Sequence, residues 1–173
     1  MKTVGVLFFI FSALCVQNAS AEKGIGVFVK HEFNSTDTIT GVGVSKNYAS
    51  LANMLVGQVN SSINFAEVLT EDQVLEEFLA WEVGGKLGYF SDFFIYIEAG
   101  IDLTELAFSQ ERDDCCRDLS NDNNNIDGYA GLGAGLDLGK LRLEVFSRVR
   151  QIDTRSWTSK SHVFYGAQLS LLF

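Results

Sequence analysis

The end of the chain alternates. Counting back from Phe173, every second residue is Leu171, Leu169, Ala167, Tyr165 and Val163, while the intervening set is Leu172, Ser170, Gln168, Gly166, Phe164 and His162. Successive side chains of a strand point to opposite faces, so 161–173 reads as a strand with one face apolar throughout and the other mixed, stopping on an aromatic. The same period recurs upstream. Leu79, Trp81, Val83, Leu87 and Tyr89 alternate with Ala80, Glu82, Gly84, Lys86 and Gly88; Ile95, Ile97, Ala99, Ile101 and Leu103 with Tyr96, Glu98, Gly100, Asp102 and Thr104. Ala130, Leu132, Ala134, Leu136 and Leu138 face away from Tyr129, Gly131, Gly133, Gly135 and Asp137. Leu141, Leu143, Val145 and Val149 oppose Arg142, Glu144, Phe146, Arg148 and Arg150.

Towards the N-terminus, 24–32 and 38–46 read as two further strands joined by the turn residues Asn34-Ser35-Thr36-Asp37. Residues 48–80 are the least regular. A third strand is placed at 49–60 to make the count even, and Thr70-Glu71-Asp72-Gln73 has the pattern of a helix capping box. Five acids and no base between Glu67 and Glu77 suggest a solvated acidic loop over 61–77. The connections then fall into compact ones near 46–49, 90–93 and 139 and longer ones at 61–75, 107–126 and 153–160.

Eight strands of about ten residues have the length a tilted strand needs to cross a hydrocarbon layer. The expectation is an all-β chain, an eight-stranded antiparallel up-and-down transmembrane β-barrel. The polar face decides what lies inside. It carries Glu82, Lys86, Glu98, Asp102, Asp137, Arg142, Glu144, Arg148, Arg150 and Gln168, five acids against four bases. Facing lipid, each Arg or Lys would cost about 2–4 kcal/mol near the midplane, whereas inside a closed barrel opposite charges pair and strand closure satisfies the backbone. The competing reading is a soluble antiparallel sheet with a charged solvated face. That reading needs something to cover the apolar faces, and no amphipathic helix of adequate length is evident. Trp81, Tyr89, Phe90, Phe93 and Tyr165 fall where interfacial aromatic girdles would sit.

Composition narrows the class. The chain has 173 residues, enough for one domain, with 47% hydrophobic and 20% charged residues, which argues against disorder. It has 22 acidic and 13 basic side chains, so nucleic acid is not an expected partner. Lys2, the apolar run 4–16 and the small residues Ala19 and Ala21 mark 1–21 as a cleaved export signal, leaving 22–173 as the barrel domain. Cys15 follows Leu14 where a lipoprotein signal needs a small residue. Cys115 and Cys116 are neighbours; they allow a vicinal disulfide, strained by its geometry, or pairing between molecules, but cannot staple the fold.

The C-terminal pattern of Tyr165, Gly166, Leu169, Leu171 and Phe173 resembles the closing strand of bacterial outer-membrane barrels. In that family this strand is the label read by the barrel-assembly machinery. The segments 81–103 and 126–152, with Gly-alternating strands and tight turns, are similar to the OmpA/OmpX-type outer-membrane β-barrel family. The resemblance implies a Gram-negative cell outer membrane location, contact with membrane lipid and lipopolysaccharide, a monomer, and a structural or surface-interaction role of the adhesion or colonisation kind.

No catalytic, cofactor or metal residue is assigned. Lipid A deacylase barrels resemble the stretches Ile97-Glu98-Ala99-Gly100 and Gly133-Ala134-Gly135-Leu136, but the strand that should carry a His and Ser two apart reads Glu144-Val145-Phe146-Ser147-Arg148-Val149, without a base to activate the serine. Neither His31 nor His162 falls in the pattern of palmitoyltransferase-type barrels. The acids of 111–118 and the spacing of Asp122, Asn124 and Asp127 invite a cation, yet lack a completing Glu. Surface ligands would meet the acidic loops 61–77 and 107–125. Two alternatives stay open: a lipid A-modifying outer-membrane enzyme and a soluble periplasmic lipocalin-like carrier.

Overall fold

The structure is a computed structural model that describes residues 24–51, 55–69, 75–104, 128–151 and 162–173. Eight strands follow in order: β1 (Ile25–Phe33), β2 (Thr38–Leu51), β3 (Leu55–Leu69), β4 (Leu75–Tyr89), β5 (Phe93–Asp102), β6 (Gly128–Asp137), β7 (Leu141–Gln151) and β8 (Val163–Leu172). Each pairs antiparallel with its successor, and β8 returns to β1 through a register running from Gly26↔Leu172 to Phe33↔Tyr165, which closes the barrel. Closure continues to the final residue, where the Phe173 N–H donates to the Ile25 C=O at 2.8 Å.

The alternation in the sequence is reproduced as inside and outside. On β7, Arg142, Glu144, Phe146, Arg148 and Arg150 are buried, while Leu143, Val145 and Val149 are exposed. Leu132 and Val145, 65% and 63% exposed at mid-strand, would be core residues in a water-soluble barrel. Here the core is ionic and the outside is Leu, Ile, Val and aromatic rings. That polarity is stable with hydrocarbon around the barrel, and the strand ladder leaves no backbone edge in it: this is a membrane-spanning β-barrel.

Four corrections come with the register. The third strand is Leu55–Leu69, not 49–60, and β2 continues to Leu51 with a register irregularity between Tyr48 and Leu51, so no turn occurs at 46–49. The alternation of β3 was hidden because its inward residues Gln58, Asn60, Ser62 and Asn64 are neutral polar and its outward set includes Ser61, so hydropathy barely oscillates. Most of 61–77 is strand, since β3 runs through 61–69 and β4 begins at Leu75; only 70–74, with the capping-box residues, lies outside the described residues. Phe90 is not in a girdle. It stacks on Phe94 at 5.1 Å and on Tyr96 at 6.2 Å, and lies under Arg142.

The connections sort by end. β2, β4, β6 and β8 end, and β1, β3, β5 and β7 begin, at one rim, where the strands are separated by three residues each; the opposite rim takes the other strand ends, which are four, five, 25 and 11 residues apart along the sequence after β1, β3, β5 and β7. At the short rim, Gly139 adopts φ +90°, the left-handed conformation that lets the turn close with the Gly139 N–H on Asp137 Oδ1 at 2.9 Å. The acidic loop expected at 107–125, with Cys115 and Cys116, and the export signal expected at 1–21 fall outside the described residues.

Candidate functional site

The chemistry of the chain is concentrated in its lumen. Arg148 and Arg150 reach inward from β7, Glu32 and Lys30 from β1, Glu82 from β4 and Glu98 from β5, all by the two-residue period of their strands. Arg148 grips Glu98 with two bonds, Nε to Oε1 at 2.6 Å and Nη2 to Oε2 at 2.8 Å, and its remaining Nη1 donates to Glu32. Arg150 spans Glu32 (Nε to Oε2, 2.8 Å) and Glu82 (Nη1 to Oε1, 2.6 Å). Lys30 closes the ring with Glu82 at 2.7 Å and Glu32 at 3.1 Å.

Three carboxylates and three cations are thus joined with no net charge. Desolvating each ion costs several kcal/mol, and the cost is offset only where geometry is good and further hydrogen bonds are made, which the two-pronged Arg148–Glu98 contact and the shared Glu32 provide. Tyr129 supports the ring with its face, 4.4 Å from the Arg148 guanidinium carbon and 4.9 Å from that of Arg150, and Phe146 adds a second plane 4.1 Å from Arg148.

Two smaller clusters fill the lumen towards the short rim. Lys86 pairs with Glu144, which also accepts from Gln168 Nε2 at 3.2 Å. Arg142 pairs with Asp137 at 2.8 Å and lies over Phe94 at 5.0 Å. Towards the long rim, Ile39, Ala66 and Phe164 pack as a buried apolar cluster with Phe78 against it. A pocket of about 20 Å³ remains beside Tyr129, Arg150 and Asp102, room for about one water. The larger hollows, such as that between Leu132, Val145 and Tyr165, open on the outward face, where hydrocarbon surrounds them.

Inward aromatics are accommodated by glycine. Tyr96 is the direct partner of Gly133, Phe94 of Gly135, Tyr129 of Gly100, Phe146 of Gly166 and Phe28 of Gly43. A Cβ on Gly166 would come within 2.5 Å of the Phe146 ring, so the ring lies across the glycine and its bulk fills the space of two positions.

Of the nine charged positions picked from sequence, Glu82, Glu98, Arg148 and Arg150 join the ring, Lys86 meets Glu144, and Asp137 meets Arg142. Asp102 does not join them: half-buried at the long rim, it accepts from the Thr104 N–H at 2.7 Å and hydroxyl at 2.5 Å, while Thr104 Oγ1 accepts from the Trp81 N–H at 2.6 Å. Lys30 and Glu32 were missed. Their signal was present, since both share the parity of Gly26 and Phe28, and a surplus of inward Arg on β7 required a carboxylate from a neighbouring side of the barrel.

In β8, Tyr165, Leu169 and Leu171 face outward, as does Phe173 just after it, and Gly166 faces inward against Phe146. Among the described residues, no group of three or more His, Cys, Asp or Glu is arranged to hold a metal ion.

No family model matches the chain, and no curated protein does. A solved chain from the de novo design of transmembrane β-barrels is similar over 89% of this chain and 98% of its own, with 17% identity and a TM-score of 0.49. The fold assignment stands on the strand register and the polarity of its two faces, not on that likeness.

Proposed function

We propose that the chain is a small, monomeric outer-membrane β-barrel of a Gram-negative bacterium, with a structural or surface-interaction role and no catalysis. The observation that carries this reading is the lumen: a neutral, fully paired ring under an apolar layer provides neither a water-filled passage nor an apolar ligand cavity. A lipocalin-like carrier would need the opposite polarity. What such a barrel offers is its lipid-facing surface, where membrane lipid and lipopolysaccharide would pack, and its long rim.

The unequal connection lengths at the two rims, the expected export segment 1–21 and the outward apolar alternation of β8 support an outer membrane placement, with β8 presented to the barrel-assembly machinery and the long rim outside the cell. The test is protease added to intact cells carrying a cleavage site in 107–125. Cleavage from outside, in a membrane-fraction protein whose gel mobility shifts on boiling, is expected; recovery as a soluble periplasmic protein overturns the reading. For the lipid-modifying alternative, Ser147 faces outward beside Tyr165 and His162 precedes β8. Unchanged lipid A masses in Ser147→Ala, Ser161→Ala and His162→Ala strains are expected.

A further inference from the structure

Outward side chains of neighbouring strands stand in rows across the barrel wall. One row runs Phe33, Tyr165, Ser147 and Leu132, the next His31, Ala167, Val145 and Ala134, and the third Val29, Leu169, Leu143 and Leu136. Alanine and valine reach less far from the wall than leucine and tyrosine, so the middle row is a trough about 14 Å long, at about 4.8 Å per strand. Two outward hollows, of about 1180 and 690 Å³, meet over it, and His31, Ala167, Val145 and Ala134 line both. The trough is inclined to the membrane. Its His31 end is two residues from where β1 stops at the long rim, and its Ala134 end is three residues from where β6 stops at the short rim.

A polar pair heads this trough. His31 and Thr40 are exposed on the outward face, with His31 Nδ1 2.8 Å from Thr40 Oγ1 and the imidazole stacked on Phe33 at 6.2 Å. The bond to Thr40 satisfies one ring nitrogen. Among the described residues the other, Nε2, has no partner, and an unpaired polar atom in hydrocarbon is costly. Nε2 donates in one tautomer and accepts in the other, so a hydroxyl, which does both, pairs with it in either. An ester carbonyl, which only accepts, pairs with it in one.

We propose that this trough seats one acyl chain of a membrane lipid in the leaflet at the long rim, a chain hydroxylated near its head end. The hydroxyl pairs with His31 Nε2 and the tail lies over Ala167, Val145 and Ala134. The proposal rests on the outer-membrane reading, in which lipid packs on this face, and gives one part of that face a lipid chemistry. The apolar trough supplies contact for any chain, and the imidazole selects the hydroxylated one.

The probes are methyl β-hydroxymyristate and methyl myristate, titrated into the full chain in phosphatidylcholine nanodiscs. Binding is counted by native mass spectrometry and located by NMR of the ring nitrogens of the two histidines. The hydroxy ester is expected to shift His31 Nε2 saturably, to leave His162 unmoved, and to bind about fivefold more tightly than the plain ester, the ratio that one hydrogen bond provides. Ala167→Leu, which fills the trough, is expected to lose saturable binding of both esters. His31→Phe, which keeps a ring there, is expected to bind the two equally. The heat-dependent gel shift checks that each variant folds; if either loses it, the two esters on the unsubstituted protein decide the matter. Equal binding of the two esters by that protein, or a His31 signal that does not move, overturns the site. Either result in a chain that keeps the gel shift leaves the outer-membrane reading standing, whereas recovery of the chain as a soluble periplasmic protein overturns both.

Discussion

At the scale of single residues, Glu32 has the largest expected effect. Among the described residues it is the carboxylate that touches Lys30, Arg148 and Arg150 together, so its removal leaves the ring with three cations and two carboxylates. Glu32→Ala is expected to destabilise the barrel by about 3–5 kcal/mol in urea titrations in lipid vesicles. Glu98→Ala should cost less, since among the described cations Glu98 pairs with Arg148 alone, and Arg148 retains Glu32. Equal costs would argue against a shared ring. Gly166→Leu, which drives a side chain into the Phe146 ring, should cost about 1–3 kcal/mol in the same titration. An outward change of similar size at exposed Ala167, Ala167→Leu, should be close to neutral.

At the scale of elements, replacing 107–125 with a short turn should leave the heat-dependent gel shift intact, because the strand register closes without that segment. Loss of the shift would mean that the loop takes part in closure. Five strands were legible from 79 onward with the right faces, because Leu, Ile and Val against Gly, Tyr and charge make a large oscillation. β3 was misplaced because Gln58, Asn60, Ser62 and Asn64 fill the lumen with neutral groups and Ser61 breaks the outward apolar set. The acids Glu67 and Glu77 suggested a loop when they were strand residues; alternation continues past the apolar band, where outward side chains meet water. The turn at 46–49 failed for the same reason, with Lys46 and Asn47 in an extended β2.

At the scale of the whole molecule, the inside-out polarity was readable because the lumen needs charges in near balance, and one face of the last five strands already held them. The ring itself was not, since which Arg meets which Glu depends on the barrel's register. Lys30 and Glu32 are brought to Arg148 and Arg150 only when β8 closes against β1. The filled lumen predicts no discrete conductance steps in a planar bilayer, and steps of fixed size would show an aqueous path. The central claim, that the apolar face of every strand looks into lipid, is tested most directly by nitroxide labels placed one at a time at Leu141, Leu143, Val145, Ser147 and Val149 of the vesicle-bound protein. Collision with oxygen should peak, and collision with a water-soluble nickel chelate should reach its minimum, near Val145. Nickel reaching Val145 as freely as Leu141 would place that face in water and contradict the account.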